Sequence, residues 1–577
     1  MARKGPIKVH LEGRGPLALR ETDYVTSGGE GAIYRSGHTI IKIYADPAKM
    51  ARDGMPEKIK ALAHLQRVGI VAPEGLAIDE NRNPVGFYMP FVAGEPMSRV
   101  FVSDYRVRTG FADKDAVNLA ADMHSIVEYA HSKQALLVDA NELNWLVHFT
   151  KGAAPAAAVI DVDSWAIGRW PATVIMPSIR DWNAKSFTAA TDWFAWGIVS
   201  FQVFTGIHPF KGRIDGYKPG DLVQRMKDNA SVFDKRARMP LAVRDFACIP
   251  GPLLDWYQAT FQQGNRSGLP PPSPLLTGRP AKAAQVMRAV TMAAGGALVF
   301  EKLFERAGDP AVRVWANGAV RLASDDVVDL ETGATIGWAL TPECEVIKTK
   351  EGWLVADCRP GQPAEVLFVG ARSRSTQTLA LKIKRLFRAG ERLFAITDRE
   401  MVEIEVRDLG KPVVTFGKRW PIMVNSTTWL DDVAVLDALG AAFIVLPHGD
   451  GVHQIRAPQL DGAKIIAGKA GGRFAAFTAL TKSGDYRKFE FTFDKTFTTY
   501  QAWTGLADIS ELNMGILPRG VVGTITTDFE LNIVVPTTGT VNKICDTGVH
   551  TAMKLANWGE KLVYTLDGAV WQLRVGP

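Results

Sequence analysis

Hydrophobic positions in the first 270 residues form short alternating runs and then longer helical patterns. Alternation predicts strands at 32–35, 39–44 and 85–92. Apolar residues at three- and four-residue spacing predict helices at 114–134, 192–205 and 253–262. A small strand-rich part followed by a larger helical part is typical of an α+β domain with two lobes.

The pattern changes after a stretch rich in proline and glycine at 264–280. A helix is predicted around 281–293. Beyond it, short apolar runs alternate with turn residues, as in RLFAITDREMVEIEV (392–406) and KLVYTLDGAVWQLRV (561–575). Many short strands separated by turns predict an all-β domain. Blades of about 40–50 residues would give a β-propeller with six or seven blades, and two stacked sandwiches are the alternative.

These patterns divide the chain into three parts. They are an α+β domain at 1–269, with a small lobe at about 1–92 and a large lobe at about 93–269, a linker at 270–285, and an all-β, propeller-like domain at 286–577. The composition of the linker interrupts a helix and favours extended, exposed chain.

Composition narrows the class of protein. Of 577 residues, 47% are hydrophobic and 22% are charged, which is typical of a folded chain with large cores. The net charge of +6 is small for this length and spread along the chain, so nucleic acid is not expected as a partner. The four cysteines are scattered without a C-x-x-C spacing, which favours a reducing, cytoplasmic location.

One uncharged stretch, 193–210, is long enough to span a bilayer. It contains Gln202, His208 and Pro209 and lies between Asp192 and Lys211. We therefore predict a buried core helix and no contact with a membrane. The sequence leaves the oligomeric state open.

The first candidate site is the glycine-rich turn SGGEGAIY (27–34), which is followed by a strand with Lys42. Gly28, Gly29 and Gly31 have no Cβ atom, so the backbone there can approach a phosphate group closely. A lysine on the next strand can reach the same phosphates as a point charge. The alternative is an ordinary β-hairpin turn.

Two further candidates follow in the chain. In LVDANELNWLV (137–147), Asp139 and Asn144 have a D-x-x-x-x-N spacing, in which the carboxylate could orient a hydroxyl and the amide could ligate Mg²⁺. The alternative is an Asx turn. In VIDVDSW (159–165), an apolar strand ends in two acids, Asp161 and Asp163, which offer hard oxygen ligands for Mg²⁺. The alternative there is a solvated strand end.

The order of these motifs resembles the protein-kinase-like superfamily. TAATDWFAWGIVSFQVFTGIHPF (188–210) is similar to the central buried helix of that family and its TGxxPF ending. FQQGNRSGLPPP (261–272) is similar to its closing segment, in which Arg266 would be the structural arginine and Asp181 a candidate partner. The resemblance covers roughly residues 22–272 and implies a bilobed fold that binds ATP and Mg²⁺.

The resemblance also implies a role for each candidate residue. Those that would cover the phosphates are Gly28, Gly29 and Gly31, and those that would bind adenine at the hinge are Met89, Phe91 and Val92. Those that would carry the chemistry are Lys42 at the phosphates, Asp139 as the catalytic carboxylate, and Asn144 and Asp161 as Mg²⁺ ligands. Glu57, in the predicted helix PEKIKALAHL, is the candidate partner for Lys42.

The chain departs from the family pattern at four places. The segment 176–181 (MPSIRD) has no glutamate in register with the family's Ala-Pro-Glu. Leu137-Val138-Asp139 replaces His-Arg-Asp, Asp161-Val162-Asp163 replaces Asp-Phe-Gly, and Asn141 replaces a lysine. These differences resemble an atypical bacterial or phage branch and point away from control by loop phosphorylation. The expected function is phosphoryl transfer from ATP to protein Ser/Thr hydroxyls, with the β domain recruiting a protein substrate or partner. The alternative is a catalytically inactive pseudokinase that acts as a scaffold or interaction protein, either with or without nucleotide binding.

Overall fold

A computed structural model describes residues 6–272 and 298–575. The stretches left out within these ranges are 28–29, 173–174, 219–220, 240–242, 351, 359–362, 371–373, 380, 409–411, 482–483, 507–512, 526–529, 537–539, 546–548 and 550–552. The predicted helix around 281–293 and the linker from residue 273 onwards therefore lie outside the described residues.

The N-terminal part begins with a seven-stranded antiparallel sheet in the order β2-β1-β6-β7-β5-β4-β3. Its strands are β1 (Ile7–Leu11), β2 (Gly15–Leu19), β3 (Tyr24–Ser27), β4 (Gly31–Ser36), β5 (Thr39–Tyr44), β6 (Gly75–Ile78) and β7 (Pro84–Pro90). Two helices, α1 (Pro47–Arg52) and α2 (Met55–Leu62), connect β5 to β6. The three predicted strands are confirmed as β4, β5 and β7.

A mainly helical part follows the sheet. Its helices are α3 (Ser103–Thr109), α4 (Asp113–Ser132), α5 (Ala189–Thr205), α6 (Leu222–Lys227) and α7 (Gly251–Phe261). Its short strands are β8 (Glu95–Pro96), β9 (Ala135–Leu136), β10 (Trp145–His148), β11 (Ala156–Val159) and β12 (Ala166–Ile167). The three predicted helices are confirmed as α4, α5 and α7.

Helix α5 is the centre of this part of the molecule. Every residue from Thr191 to Thr205 is buried, and Phe201 packs edge-on against Tyr257, with ring centroids 5.3 Å apart. The helix ends at Gly206, whose φ of +80° suits glycine, and a Cβ atom there would lie 2.9 Å from the carbonyl oxygen of Phe101. Among the described helices, none is long and apolar enough to cross a membrane.

The C-terminal part is all-β, as predicted. Its described strands form seven four-stranded antiparallel sheets. Six of these sheets use four consecutive strands each. The strands are β14 (Ala311–Val314), β15 (Ala319–Leu322), β16 (Asp326–Asp329) and β17 (Thr335–Trp338); β18 (Glu345–Lys348), β19 (Gly352–Asp357), β20 (Glu365–Gly370) and β21 (Arg374–Thr378); β22 (Arg385–Ala389), β23 (Arg392–Ile396), β24 (Glu400–Asp408) and β25 (Pro412–Pro421); β26 (Thr427–Trp429), β27 (Ala434–Ala438), β28 (Ala441–His448) and β29 (Gly451–Arg456); β30 (Lys464–Gly471), β31 (Phe474–Leu480), β32 (Tyr486–Phe493) and β33 (Tyr500–Leu506); β34 (Met514–Ile516), β35 (Val522–Ile525), β36 (Glu530–Val535) and β37 (Thr540–Cys545).

The remaining sheet joins the two ends of the C-terminal part. Its order is β13-β40-β39-β38, with β13 (Leu298–Phe304) first in the chain and β38 (Lys554–Trp558), β39 (Lys561–Leu566) and β40 (Ala569–Val575) last. Apolar side chains pack between neighbouring sheets; for example, Val570 of the last sheet lies in one cluster with Val320 and Val328 of the first. The series of sheets is therefore closed by hydrogen bonds and by packing.

The candidate ion pair between Arg266 and Asp181 is confirmed. The Arg266 Nε atom donates to Asp181 Oδ2 at 2.9 Å, and the guanidinium also binds Asn229 and the Thr260 carbonyl. The Asp181 side chain is only 3% exposed. Removing the arginine would therefore leave a buried carboxylate unpaired, which is a costly change.

We expect Arg266→Met to lower the free energy of unfolding by about 3 kcal/mol, the cost of leaving one member of a buried pair without its partner. Denaturant unfolding of the full chain measures this. Arg236→Met is the matched control, because its pair with Asp234 lies at the surface, where the arginine side chain is 65% exposed. An equal loss in both variants would contradict a structural role for Arg266.

Candidate functional site

Lys42 is a buried cation surrounded by three carboxylates. Its side chain on β5 is 7% exposed, and its Nζ atom lies 2.6 Å from Asp163 Oδ2, 2.9 Å from Glu30 Oε2 and 3.4 Å from Asp161 Oδ1. Burial alone would lower the pKa of Lys42, but the three carboxylates outweigh burial and raise that pKa well above 10.5. The ammonium group has three N–H donors, so each can be directed to one carboxylate.

The turn after β11 brings two of these acids to the lysine. Asp161 adopts a left-handed conformation with φ of +60°, and residues Val162–Ser164 form a 3-10 turn. The Ser164 hydroxyl donates to the Asp161 carbonyl at 2.7 Å and closes the turn. Asp163 is 2% exposed, and burial raises its pKa to about 6 against the opposing effect of Lys42.

A carboxylate of helix α5 anchors the loop that carries Asp139. Asp192 is buried, and its two oxygens accept the backbone N–H groups of Leu137 at 2.8 Å and Val138 at 2.9 Å. The ring of His131 lies 2.9 Å from the same carboxylate. Val138 has a φ of +57°, a conformation that costs energy in a β-branched residue. The central helix therefore fixes the backbone immediately before Asp139.

Asp139 and Asn144 are joined within this loop. The Asn144 Nδ2 atom donates to the Asp139 carbonyl at 2.7 Å, which leaves the amide oxygen as the atom of that group able to ligate a cation. The Asn144 carbonyl in turn accepts the N–H of Ile160, the residue before Asp161, at 2.9 Å. Hydrogen bonds thus connect Asp139 through Asn144 to the turn that contacts Lys42.

The surroundings of the Asp139 carboxyl group raise its pKa towards neutral pH. Its Oδ1 atom accepts the backbone N–H of Met176 at 2.7 Å. Burial nevertheless raises the pKa of Asp139 from 3.8 to about 7. A carboxyl group with a pKa close to the ambient pH can exchange a proton with a hydroxyl efficiently.

The glycine-rich turn lies only partly within the described residues. Gly28 and Gly29 fall outside them. Gly31 begins β4, and a Cβ atom there would collide with the Ile43 carbonyl oxygen on the paired strand β5. The close approach of these strands therefore explains this glycine without reference to a phosphate.

The predicted hinge residues lie at the end of β7, where Met89 belongs to the strand and Phe91 and Val92 follow it. Met89 pairs with Ile40 in the sheet, and Val92 is half-buried. The Phe91 N–H donates to the His38 carbonyl at 2.8 Å. A ligand that used the Phe91 N–H would have to displace this bond.

The candidate partner Glu57 is not among the carboxylates that contact Lys42 in the described structure. Helix α2 instead buries Lys58, whose Nζ atom donates to the Pro171 carbonyl at 3.0 Å. The sequence interpretation did not propose Glu30 or Asp163 as partners of Lys42, although Glu30 lies in the motif GGEG and Asp163 is one of the two strand-end acids in IDVDSW.

No group of three or more His, Cys, Asp or Glu side chains in the described residues is arranged to hold a metal ion. A magnesium ion at Asp161 would therefore need oxygen ligands from a bound phosphate compound and water as well. Protein sites for Mg²⁺ commonly have this composition, with one or two carboxylates and substrate phosphates. Asp161, which is 38% exposed, fits such a site.

Comparison with known proteins gives no assignment. No protein-family model matches the chain, and no curated protein sequence matches it. Inference about function therefore starts from the arrangement of the side chains themselves.

We expect Asp139→Asn to change how stability depends on pH. A folded carboxyl with a raised pKa stabilises the protein at low pH and loses that contribution as the pH rises through its folded pKa. The rise from 3.8 to about 7 corresponds to at most about 4 kcal/mol, at ~1.4 kcal/mol per pH unit. The variant should therefore gain stability relative to wild type between pH 4 and pH 8.

Denaturant unfolding at a series of pH values measures this difference. Asp79→Asn is the control, because the backbone N–H of Asn83 lowers the pKa of Asp79 from 3.8. Its contribution is lost only as the pH falls below this range, so its difference from wild type should change little between pH 4 and pH 8. A difference between Asp139→Asn and wild type that is constant over this range would contradict the buried setting of Asp139.

Proposed function

We propose that the N-terminal part is a protein-kinase-like domain that transfers a phosphoryl group from Mg-ATP to a protein Ser/Thr hydroxyl. The seven-stranded sheet would be the small lobe and the helical part the large lobe. The observation that carries the proposal is the approach of Lys42 to Asp161 at 3.4 Å, linked by hydrogen bonds through Asn144 to Asp139. These are the groups that phosphoryl transfer requires.

Each of these side chains has a chemical task in the proposed reaction. The Lys42 ammonium would bind the phosphates, which would replace the Glu30 carboxylate on Nζ. Asp161 and the Asn144 amide oxygen would hold Mg²⁺, which neutralises phosphate charge when bound. Asp139 would orient the acceptor hydroxyl and accept its proton. Asp163, which is buried against Nζ, would keep the lysine in place while the phosphates replace the Glu30 carboxylate.

The C-terminal part would be a seven-bladed β-propeller. This proposal is supported by the seven four-stranded sheets and by the pairing of Leu298 with Val575, which joins its two ends. Loops at the ends of such a rigid body suit a role in binding a protein substrate or partner, an inference from architecture alone. Free thiols at Cys248, Cys344 and Cys358 agree with the cytoplasmic location that we propose.

A second function has a specific observation in its favour. All three N–H donors of Lys42 can be taken up by carboxylates, and the Phe91 N–H is bound to His38. A nucleotide would have to break contacts in both places. The competing proposal is therefore an inactive kinase-like scaffold that acts through protein interactions.

Nucleotide binding and phosphoryl transfer are measured on the same set of full-length variants. With Mg²⁺ and saturating ATP, we expect wild type to gain about 2–5 °C in melting temperature, since a ligand at 100 times its Kd adds roughly 2.7 kcal/mol. Asp161→Ala should lose this gain. Asp139→Asn should keep it, while incorporation of labelled phosphate falls at least ~100-fold, the usual contribution of a general base.

Glu57→Gln is the matched control for Asp163→Asn, because Asp163 contacts Lys42 and Glu57 does not. We expect Glu57→Gln to behave like wild type and Asp163→Asn to weaken the stabilisation by ATP. No stabilisation by ATP and no incorporation of label in wild type would contradict the enzyme and support the scaffold.

A further inference from the structure

The C-terminal part contacts the N-terminal part at the loop that carries Asp139. The hydroxyl of Tyr486, the first residue of β32, donates to Glu142 Oε1 at 3.1 Å. Both residues are buried, with 4% and 2% exposure, and burial raises the pKa of each. The Lys211 ammonium lies 4.7 Å above the Tyr486 ring. This is an enclosed polar contact three residues from Asp139.

Apolar packing surrounds this hydrogen bond. Ile466, Leu480 and Tyr486 form one buried cluster, against which Leu143 and Met176 of the N-terminal part pack. Leu143 lies in the Asp139 loop, and Met176 is the residue whose backbone N–H binds the Asp139 carboxylate. The side chains next to Asp139 are therefore covered by the C-terminal part.

The backbone of the C-terminal part also lies against the segment after Met176. A Cβ atom on Gly484 would be 2.8 Å from Ser178 Oγ and 3.1 Å from Met176 Cγ. We call the surface formed by Ile466, Leu480, Gly484 and Tyr486 the docking face. It occupies the outer side of residues 176–178.

A neighbouring sheet holds the strand that leads into the glycine-rich turn. The Thr26 hydroxyl donates to Asp437 Oδ2 at 3.3 Å, and the Asn425 amide donates to the Thr22 carbonyl at 3.4 Å. Met423 packs against the core of the N-terminal sheet. The C-terminal part thus contacts both the sheet and the Asp139 loop.

We propose that the docking face is an intramolecular cap on the acceptor side of the site. This proposal rests on the proposed phosphoryl transfer. An acceptor hydroxyl must come within hydrogen-bond distance of Asp139, and a protein that carries it needs the adjoining surface of Leu143 and residues 176–178. With the docking face in place, Ser178 is buried and Leu143, Met176 and Pro177 are half-buried, so the docking face obstructs the approach of a protein to that surface. A protein acceptor is phosphorylated only when the docking face moves away.

The cap leaves the nucleotide side open. Asp161 is 38% exposed and Glu30 is 33% exposed, and the carboxylate of each contacts Lys42. Loss of the cap should therefore change the reaction with a protein acceptor and leave ATP affinity unchanged. A purely structural role for the docking face would not separate these two readouts.

The test is a side chain that forces the docking face away from residues 176–178. Gly484→Leu places atoms against Ser178 and Met176. Gly520→Leu is its matched control, because the two glycines have φ values of +82° and +84° but a Cβ atom on Gly520 meets nothing within 4 Å. The backbone strain is thus similar in both variants. Tyr486→Phe, which removes only the hydroxyl, is a milder second variant.

We expect Gly484→Leu to increase phosphorylation of dephosphorylated casein about 10-fold or more. This is the increase expected when a cap that costs roughly 1.4 kcal/mol or more to open is removed. Tyr486→Phe should produce a smaller increase, and Gly520→Leu none. The Kd for ATP should stay within a factor of two of wild type in all three. Hydrogen exchange of the amides at 176–181 should accelerate in Gly484→Leu and, more weakly, in Tyr486→Phe. It should not change in Gly520→Leu.

Three results would overturn the cap. Unchanged amide exchange at 176–181 in Gly484→Leu would mean that the docking face does not protect these residues. Faster exchange with unchanged or lower casein phosphorylation would mean that the docking face supports the loop instead of blocking it. If neither wild type nor any variant binds ATP or phosphorylates casein, the proposed phosphoryl transfer is overturned. The control of acceptor access is then overturned as well, whatever the exchange rates are.

Discussion

The Lys42 ammonium group is the point at which the N-terminal sheet meets the helical part of the molecule. A buried cation is tolerated only when it is paired, and its closest partner, Asp163, lies 121 residues further along the chain. The pair fixes β5 against the turn after β11. Because Asp161 belongs to the same turn, the pair of Lys42 and Asp163 also brings the proposed Mg²⁺ ligand close to the lysine.

The Asp139 loop is held from two directions. From inside, Asp192 of the central helix binds the backbone before Asp139. From outside, Tyr486 of the C-terminal part binds Glu142. The first contact orients the proposed catalytic carboxylate. The second, in our proposal, determines whether a protein acceptor can reach it, so that one loop carries both the chemistry and its control.

Much of the fold could be predicted because its signals are local. Helix α5 is marked by an uncharged stretch, and β4 and β5 are marked by alternation around the glycine-rich turn. The pair of Arg266 with Asp181 was expected from the family resemblance. Partners set by the approach of distant segments could not be predicted: Asp163 replaces Glu57 beside Lys42, and Tyr486 meets Glu142 across 344 residues. No local pattern encodes such pairs.

The central claim is that Lys42 and the carboxylates around it receive a triphosphate. An experimental structure of the full chain with Mg²⁺ and a non-hydrolysable ATP analogue tests it most directly. We expect phosphate oxygens at Lys42 Nζ in place of the Glu30 carboxylate, and Mg²⁺ between those phosphates and Asp161. A structure at saturating analogue in which Nζ keeps all three carboxylates and no phosphate lies beside them would contradict the account.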